Sequence, residues 1–362
     1  MTAALILFAI TSVGPTDLQS VLDEFRASQD VPGVSAVVVR RGETVFAGGS
    51  GLADIESTTL MTADSVVYIG SVSKVLTAAL TLQLVETEQL SLNDEVGGIA
   101  VDDPGNSPSV TVANLLTHSS GLNREGNFGY WFTADFPDNE ALAQYLAKTS
   151  LRSAPGDSSY YSNIGYAALG QLVERVTGQS YDDALLNRVL TPLNMNASGG
   201  RGPAKEIATG YTPADRILPS RERPFAGVGK RVGNRYKRMY HDARAMSPAF
   251  GAYASANDMG RLVSFLLGYG HDNVLSPTTR ALMYEHHVFG RGLGLKIARL
   301  AGRTVARHDG WFAAHRSHLL LDIDNGLGVV VMANSDNASP GKIAEALLEE
   351  ALAAVNKSGK RP

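Results

Sequence analysis

The sequence contains no cysteine among its 362 residues. This absence excludes a cysteine nucleophile, a disulfide framework and any metal site built on thiolates. It does not fix the cellular compartment, because a chain of this length buries a core that needs no disulfide. An excess of positive charge is lacking as well: 32 Lys and Arg stand against 36 Asp and Glu, for a formal net charge of −4. The charge balance therefore gives no reason to expect a nucleic-acid partner.

Long hydrophobic runs are also missing. The apolar run near the N-terminus, residues 3–10 (AALILFAI), is far shorter than the about 20 residues that span a bilayer. We therefore expect no transmembrane segment. Residues 1–15 are either a signal peptide that lacks the usual positive residues or a buried N-terminal segment. The localisation follows from that choice: periplasmic or secreted in the first case, cytoplasmic in the second.

Strand patterns occur at both ends of the chain, and helical patterns lie between them. Two hairpins are predicted, one from VSAVVVR and ETVFAG around Arg41-Gly42, the other from SHLLLDI and LGVVVMAN around Asp324-Asn325-Gly326. A further strand, RTVARH, precedes the second hairpin. Amphipathic helices are predicted from about Thr16, over residues 164–177 and over residues 343–355.

This order predicts an α/β fold of the α+β type, an antiparallel sheet flanked by helices and built from both chain ends. The predicted parts are a sheet region from residues 16–72 and 240–355, an inserted helical region at 73–239, and a charged tail at 356–362.

Two stretches depart from the pattern. Residues 124–138 (REGNFGYWFTADFPD) carry aromatic side chains among Gly, Pro and Asp, which suits a loop near a ligand and a loop covering core equally. Residues 215–244 hold nine Lys or Arg against three acids. For this second stretch a solvated loop is favoured over a rim that attracts anions.

The chain lacks the lipase elbow G-x-S-x-G, phosphate-binding glycine loops and the zinc motif H-E-x-x-H, but it contains S-x-x-K twice. Residues three apart share a helical face, so Lys74 reaches the Ser71 hydroxyl, and a desolvated lysine can act as a base. The second copy, Ser339 to Lys342, is explained by a serine cap followed by Pro340. The same alternative exists for the first copy, where Ser71 or Ser73 could simply cap a helix.

Tyr161-Ser162-Asn163 is the only Y-x-N in the chain. A tyrosine near a cation can serve as a base or proton shuttle, and an asparagine amide can bond a substrate carbonyl or the lysine. Taken alone, the tripeptide is equally a half-buried tyrosine beside a turn-forming asparagine.

In their order and spacing, six segments resemble the serine β-lactamase and penicillin-binding protein superfamily, in particular its class C-like branch. They are YIGSVSKVLTA, LSLNDEVGGIA, VTVANLLTHSSGL, PGDSSYYSNIGYAALGQLVERVTG, RVLTPLNM and SPAFGAYASANDMGRLVSFLL. The resemblance extends from about residue 17 to 350. It implies a β-lactamase/transpeptidase-like fold and a serine hydrolase that works through an acyl-enzyme without metal or cofactor.

The third motif of that superfamily, K-[ST]-G on an edge strand, has two candidates. Lys357-Ser358-Gly359 has the right letters but lies in the tail, whereas His308-Asp309-Gly310 lies at a strand end. Position favours His308. Histidine in this place resembles the esterase and peptidase members, and it argues against β-lactamase activity more than against acyl transfer.

The resemblance implies three catalytic residues. Ser71 is the acylated nucleophile, and Lys74 and Tyr161 share its proton and later activate water. It also implies four substrate-binding residues. Asn163 orients the substrate carbonyl, His308 and Gly310 line the edge strand, and the Trp311 backbone N–H forms the oxyanion hole with that of Ser71.

The expected substrates are small esters, D-amino-acid peptides or amides, or β-lactams. We expect an esterase or a D-amino-acid peptidase or amidase. The alternatives are a true β-lactamase and a penicillin-binding or sensor protein without turnover. The sequence does not give the oligomeric state.

The remaining histidines are expected to be structural. His118 fits a hydrogen-bonded core residue, and His315 and His318 fit surface or turn positions. Glu285-His286-His287 invites a metal interpretation, but adjacent residues do not share a helical face and no third ligand is evident. We therefore expect no metal.

Overall fold

The computed structural model describes residues 18–99, 109–201, 207–214, 228–238, 242–285 and 288–358. The possible signal segment lies outside these ranges. Within them, no helix is both long and apolar enough to cross a bilayer.

The helices are α1 Leu18–Ser28, α2 Ser73–Glu86, α3 Val112–Leu116, α4 Tyr130–Thr133, α5 Asn139–Leu146, α6 Asn163–Thr177, α7 Tyr181–Leu185, α8 Ser247–Phe250, α9 Ala256–Leu266, α10 Pro277–Glu285 and α11 Pro340–Ser358. The strands are β1 Gly33–Arg40, β2 Glu43–Asp54, β3 Thr59–Leu60, β4 Val67–Tyr68, β5 Tyr211–Pro213, β6 Val228–Val232, β7 Arg235–Arg238, β8 Tyr253–Ala254, β9 Lys296–Leu300, β10 Arg303–Phe312, β11 His315–Asp322 and β12 Leu327–Ala333.

The main sheet has seven strands in the order β3-β2-β1-β12-β11-β10-β9. Its centre joins the two chain ends, because β1 pairs antiparallel with β12, Val34 opposite Ala333 and Arg40 opposite Leu327. Both predicted hairpins are present as β1–β2 and β11–β12. The predicted fold class, an antiparallel sheet built from both ends with helices against it, is confirmed.

Helices cover both faces of this sheet. One face packs on α1 and α11, whose apolar side chains form one core with β1 and β12. The other face packs on α9 and belongs to a larger core that includes almost the whole of α2. Because both faces are covered, β1 and β12 are continuous apolar runs rather than alternating ones.

The expectation of a solvated loop in the basic stretch is wrong for residues 228–238. These residues form β6 and β7, which join β5 in a small three-stranded sheet. Arg235 and Arg238 are buried there; Arg238 lies 3.5 Å from the buried carboxylate of Asp336. Arginines that are paired in this way can be buried within a sheet, which charge counting along the sequence cannot detect. Residues 215–227 and 239–241 lie outside the described ranges.

Two glycines bring the turn before α2 against strand β10. Gly70 has a φ of +52°, and a Cβ built on it would lie 2.3 Å from the Trp311 backbone nitrogen. A Cβ on Gly310 would lie 2.0 Å from the Ile69 carbonyl oxygen. This approach sets the position of Ser71 relative to the edge of the sheet.

Replacing Gly310 by alanine is expected to lower the free energy of unfolding by about 3 kcal/mol, because the added methyl group meets backbone atoms that cannot move independently. Gly97→Ala is the matched control, since no atom of the described residues lies within 4 Å of its Cβ position. Urea unfolding of the two variants measures the difference. Equal stability would contradict the close approach of the turn to β10.

Candidate active site

Ser71 lies in a single 3-10 turn, Gly70–Val72, directly before α2. The N-cap of α2 is Val72, and no side chain caps the helix. The neighbouring Ser73 is fully buried; its hydroxyl donates to the Gly70 carbonyl at 2.6 Å and accepts from the Ala252 N–H at 3.0 Å. Neither serine is a helix cap. Ser73 has a structural role, and Ser71 keeps its hydroxyl at the surface of a cavity.

Lys74 lies one helical turn after Ser71 and is completely buried. Its Nζ lies 3.3 Å from Ser71 Oγ, 2.7 Å from Asn163 Oδ1 and 2.6 Å from the Ala249 carbonyl oxygen. Burial lowers the pKa of Lys74 well below its usual value, although the Glu125 carboxylate acts in the opposite direction. A buried amine with a depressed pKa beside a hydroxyl has the properties of a general base.

Tyr161 precedes α6, and its ring lies 4.8 Å from Lys74 Nζ. Burial raises the pKa of Tyr161, and the Ser71 hydroxyl partly opposes this shift. The phenol is therefore protonated at neutral pH and can donate its proton. With these pKa directions the Lys74 amine can accept a proton and the Tyr161 phenol can donate one, a division that the sequence left open.

His118 supports the tyrosine, as the sequence predicted for a structural residue. Its ring packs on Tyr161 with 4.4 Å between ring centroids, and its Nδ1 accepts the Ser162 N–H at 3.1 Å. Ser162 in turn caps α6 by accepting the Gly165 N–H at 2.8 Å. These contacts fix the backbone on both sides of Tyr161 and Asn163.

His308 lies on β10 with its ring centroid 6.2 Å from that of Tyr161. Its Nδ1 lies 2.8 Å from the Asp309 carbonyl oxygen. Burial and the Lys74 charge lower the pKa of His308 to about 3, so the ring is neutral. Because a carbonyl only accepts, Nδ1 carries the ring proton and Nε2 is an acceptor. The position of the third motif thus offers a neutral acceptor in place of a cation.

A cavity of about 410 Å³ brings together six of the seven residues predicted from the sequence, and Lys74 lies buried beside Ser71. The six are Ser71, Tyr161, Asn163, His308, Gly310 and Trp311. Arg124 and Trp131, from the stretch 124–138, and Asp309, from the third-motif candidate, line it as well. Sequence reasoning missed the remaining side chains of the lining, which are Phe250, Arg291, Lys296, Arg307 and Arg316.

The aromatic part of this lining forms one wall. Trp131 packs on Trp311 and on Phe250, each with 5.1 Å between ring centroids. The aromatic stretch at 124–138 therefore fits both interpretations: Trp131 lines the cavity, whereas Tyr130 and Phe136 are buried in the core. A ligand in the cavity meets flat apolar surfaces on this side.

The lining also contains a cation cluster, defined here as Arg291, Lys296 and Arg307. Arg307 is directly opposite Lys296 in the β10–β9 pair. The backbone of Arg291 pairs with that of Lys296 in an isolated antiparallel β-bridge. Within the described ranges, none of the three forms an ion pair. Like charges facing each other across strands are unfavourable. The cavity is therefore locally positive in a chain of net negative charge.

The expectation that His315 and His318 are surface or turn residues is wrong. Both are buried on β11, where helices cover the two faces of the sheet. His315 Nε2 contacts the Ala208 carbonyl oxygen at 2.9 Å, and His318 Nδ1 contacts Asp309 Oδ1 at 2.7 Å. His286 and His287 lie outside the described ranges, within which no group of three His, Asp or Glu could hold a metal ion.

The second S-x-x-K, Ser339 to Lys342, lies at the start of the C-terminal helix, and Lys357 and Ser358 of the tail candidate lie at its end. Helix α11 begins at Pro340, directly after Ser339, and continues through Lys357 to Ser358. It packs on the sheet face opposite to the α2 core. The third-motif candidate of the cavity is therefore His308-Asp309-Gly310.

The family model described as Beta-lactamase matches residues 18–353. The chain belongs to the β-lactamase family. The match has nearly the bounds that the sequence motifs predicted, about residues 17 to 350, and it confirms the family that they resemble.

Three relatives illustrate the range of this family. Penicillin-binding protein 4 of Amycolatopsis lactamdurans is 36% identical over 188 residues, covering 50% of this chain and 48% of that protein. Esterase EstB of Burkholderia gladioli is 30% identical, covering 88% of this chain and 90% of that protein. The octameric penicillin-binding protein homologue of Pyrococcus abyssi superposes with a TM-score of 0.77 at 27% identity, covering 93% of this chain and 77% of that one.

The coverage differs between these relatives. The chain spans about half the length of several curated relatives that it matches, such as the penicillin-binding protein, but nearly all of the esterase. Their names include both a penicillin-binding protein and an esterase. The substrate class of this protein must therefore be inferred from the residues that line its own cavity.

Proposed function

We propose that the protein is a hydrolase that forms an acyl-enzyme on Ser71, and that it acts on esters or on D-amino-acid peptides and amides. The observation that carries the proposal is the contact between Lys74 Nζ and Ser71 Oγ at 3.3 Å, made by a fully buried lysine with a depressed pKa. A lysine that served only the fold would not need its amine beside a hydroxyl at the surface of a cavity.

In the proposed acylation, Lys74 takes the proton of Ser71 while Ser71 Oγ bonds to the substrate carbonyl carbon. The bond to the leaving group then breaks, and the leaving group takes a proton from Tyr161, which regains one from Lys74. In the second half water adds to the acyl carbon and gives a proton to the same two residues. The bond between that carbon and Ser71 Oγ then breaks, and Ser71 Oγ takes the proton back.

We further propose that the oxyanion is held by the backbone N–H groups of Ser71 and Trp311. The close approach of Gly70 to Trp311 supports this pairing, because a Cβ in that place would collide with the Trp311 nitrogen. Asn163 remains the candidate to orient a substrate carbonyl, which would accept a hydrogen bond from Nδ2. In the free protein Nδ2 donates to Glu125, and Oδ1 is bonded to Lys74.

The cation cluster favours substrates that carry a carboxylate. Arg291, Lys296 and Arg307 line the cavity that holds Ser71, and a negative group would relieve their mutual repulsion. D-amino-acid peptides with a free C-terminus meet this requirement, and neutral esters do not. β-Lactams meet it as well, but the neutral His308 in place of a lysine argues against efficient β-lactamase activity.

A substrate panel tests the proposal. It compares p-nitrophenyl butyrate, nitrocefin and a peptide ending in D-Ala-D-Ala, the peptide with both a free and an amidated C-terminus. We expect turnover that Ser71→Ala abolishes, and a kcat/KM at least about tenfold higher for the free carboxylate than for the amide. Turnover that persists in Ser71→Ala would overturn the assignment of the nucleophile. A covalent acyl group on Ser71 without turnover of any substrate in the panel would favour the alternative of a sensor protein.

A further inference from the structure

The amide of Asn163 lies between two charged side chains. Its Oδ1 accepts from Lys74 Nζ at 2.7 Å, and its Nδ2 donates to both carboxylate oxygens of Glu125 at 2.9 Å each. Asn163 is itself buried, with 2% of its surface exposed. A chain of contacts therefore runs from Glu125 through Asn163 and Lys74 to Ser71.

The chemistry of these neighbours permits one orientation of the amide. An ionised carboxylate only accepts hydrogen bonds, so the group of Asn163 that faces Glu125 must be the NH2. Turning the amide over would place its oxygen against the Glu125 carboxylate, a repulsive contact in a buried site. Glu125 thus determines that Asn163 presents an acceptor to Lys74.

Glu125 is held in place from two further sides. The hydroxyl of the buried Tyr130 donates to Glu125 Oε2, and Arg124 Nε donates to Oε1 at 2.9 Å. Burial and the carboxylate raise the pKa of Tyr130, so its hydroxyl keeps the proton that it donates. Tyr130 stacks on Phe136 with 4.9 Å between ring centroids, which anchors this donor in the core.

We propose that Glu125 is a positioning residue for acylation, which fixes the orientation of Asn163 and thereby holds Lys74 Nζ beside the Ser71 hydroxyl. The inference rests on the proposed function. Nothing in the sequence motifs marks Glu125, because it lies outside S-x-x-K, Y-x-N and the strand motif.

The charge of Glu125 gives this role a measurable signature. A carboxylate near Lys74 favours the ammonium form, so it raises the pKa of Lys74 against the effect of burial. Arg124 lowers the same pKa. The other titratable or charged groups around the site are His118, Tyr130, Tyr161, Tyr166, Arg291, Lys296, Arg307, His308, Asp309 and Arg316. Among the described residues, Glu125 provides the carboxylate that acts on the pKa of Lys74, so its removal moves that pKa downward.

Glu125→Gln tests the inference. The glutamine keeps the size of the side chain, removes the charge and permits both orientations of the Asn163 amide. We expect the rate constant of acylation, followed with p-nitrophenyl butyrate, to fall about 10²-fold because Lys74 is less well placed. We also expect the acidic limb of kcat/KM to move to lower pH by about one unit, because the pKa of Lys74 falls.

Two variants serve as controls. Glu125→Asp keeps the charge, so it should leave the acidic limb near its wild-type position and recover part of the rate. Arg124→Gln removes a positive charge instead, and its acidic limb should move to higher pH. A fall in activity for Glu125→Gln with the acidic limb in place would show a merely structural role and overturn the inference. A rate within threefold of wild type would overturn it too.

A failure of the inference can be distinguished from a failure of the proposed function. Wild-type protein must acylate and Ser71→Ala must not, and failure there concerns the proposed function alone. If Glu125→Gln does not fold, Tyr130→Phe takes its place, because it removes a donor to Glu125 without changing a charge. A slower acylation in Tyr130→Phe supports the inference, and an unchanged rate overturns it.

Discussion

Replacing Lys74 by methionine is expected to slow acylation of Ser71 by about 10³-fold or more, the range that a general base supplies. Methionine is of similar length and apolar, so the buried position stays filled. The substitution removes the amine that lies 3.3 Å from Ser71 Oγ, and it leaves Asn163 Oδ1 and the Ala249 carbonyl without that donor.

Stopped-flow acylation with p-nitrophenyl butyrate and a thermal melt measure the two effects separately. The matched control is Lys342→Met, since Lys342 belongs to the second S-x-x-K at the start of α11. This control should acylate at the wild-type rate. If Lys74→Met is folded and its acylation rate lies within tenfold of wild type, Lys74 is not the base.

Replacing Tyr161 by phenylalanine should have a large effect that depends on the leaving group. An amine must be protonated as it leaves, so we expect the loss for a peptide or amide substrate to be about 10²- to 10³-fold. The p-nitrophenolate ion leaves without a proton, so the loss for a p-nitrophenyl ester should be about tenfold or less. The raised pKa of Tyr161 motivates this contrast, because a protonated phenol is a donor rather than a base.

Steady-state kcat/KM for one amide and one p-nitrophenyl ester, each with wild type and Tyr161→Phe, gives the comparison. Tyr166→Phe is the control: its ring also lies near Lys74 Nζ, at 5.5 Å, but its hydroxyl is bonded to the Leu116 carbonyl. An equal loss for both substrates would contradict the role of Tyr161 as proton donor to the leaving group. In that case Tyr161 would act on Ser71 itself.

Local patterns predicted the fold well. The turn residues Arg41-Gly42 and Asp324-Asn325-Gly326 marked both hairpins, and the apolar runs of β1 and β12 marked the centre of the sheet. Arg235 and Arg238 show where such patterns fail, since their burial depends on partners distant in the chain, Asp30 and Asp336. The burial of His315 and His318 was missed for the same reason.

The site was predictable where chemistry follows from spacing within one element. Lys74 lies one helical turn after Ser71, and Tyr161 and Asn163 lie on either side of Ser162, the N-cap of α6. The role of Glu125 was not predictable, because it depends on contacts with Asn163 and Tyr130, which lie in different segments of the chain. The cation cluster was missed because Arg291, Lys296 and Arg307 meet only through strand pairing.

The covalent intermediate on Ser71 can be observed directly. Intact-protein mass spectrometry after incubation with a penicillin, followed by peptide mapping, locates the acyl group. The predicted result is one adduct per chain on the peptide that contains Ser71, absent in Ser71→Ala and present in Ser73→Ala, because the Ser73 hydroxyl is buried and bonded to Gly70 and Ala252. An adduct on any other residue, or one that survives in Ser71→Ala, would contradict acyl transfer through Ser71.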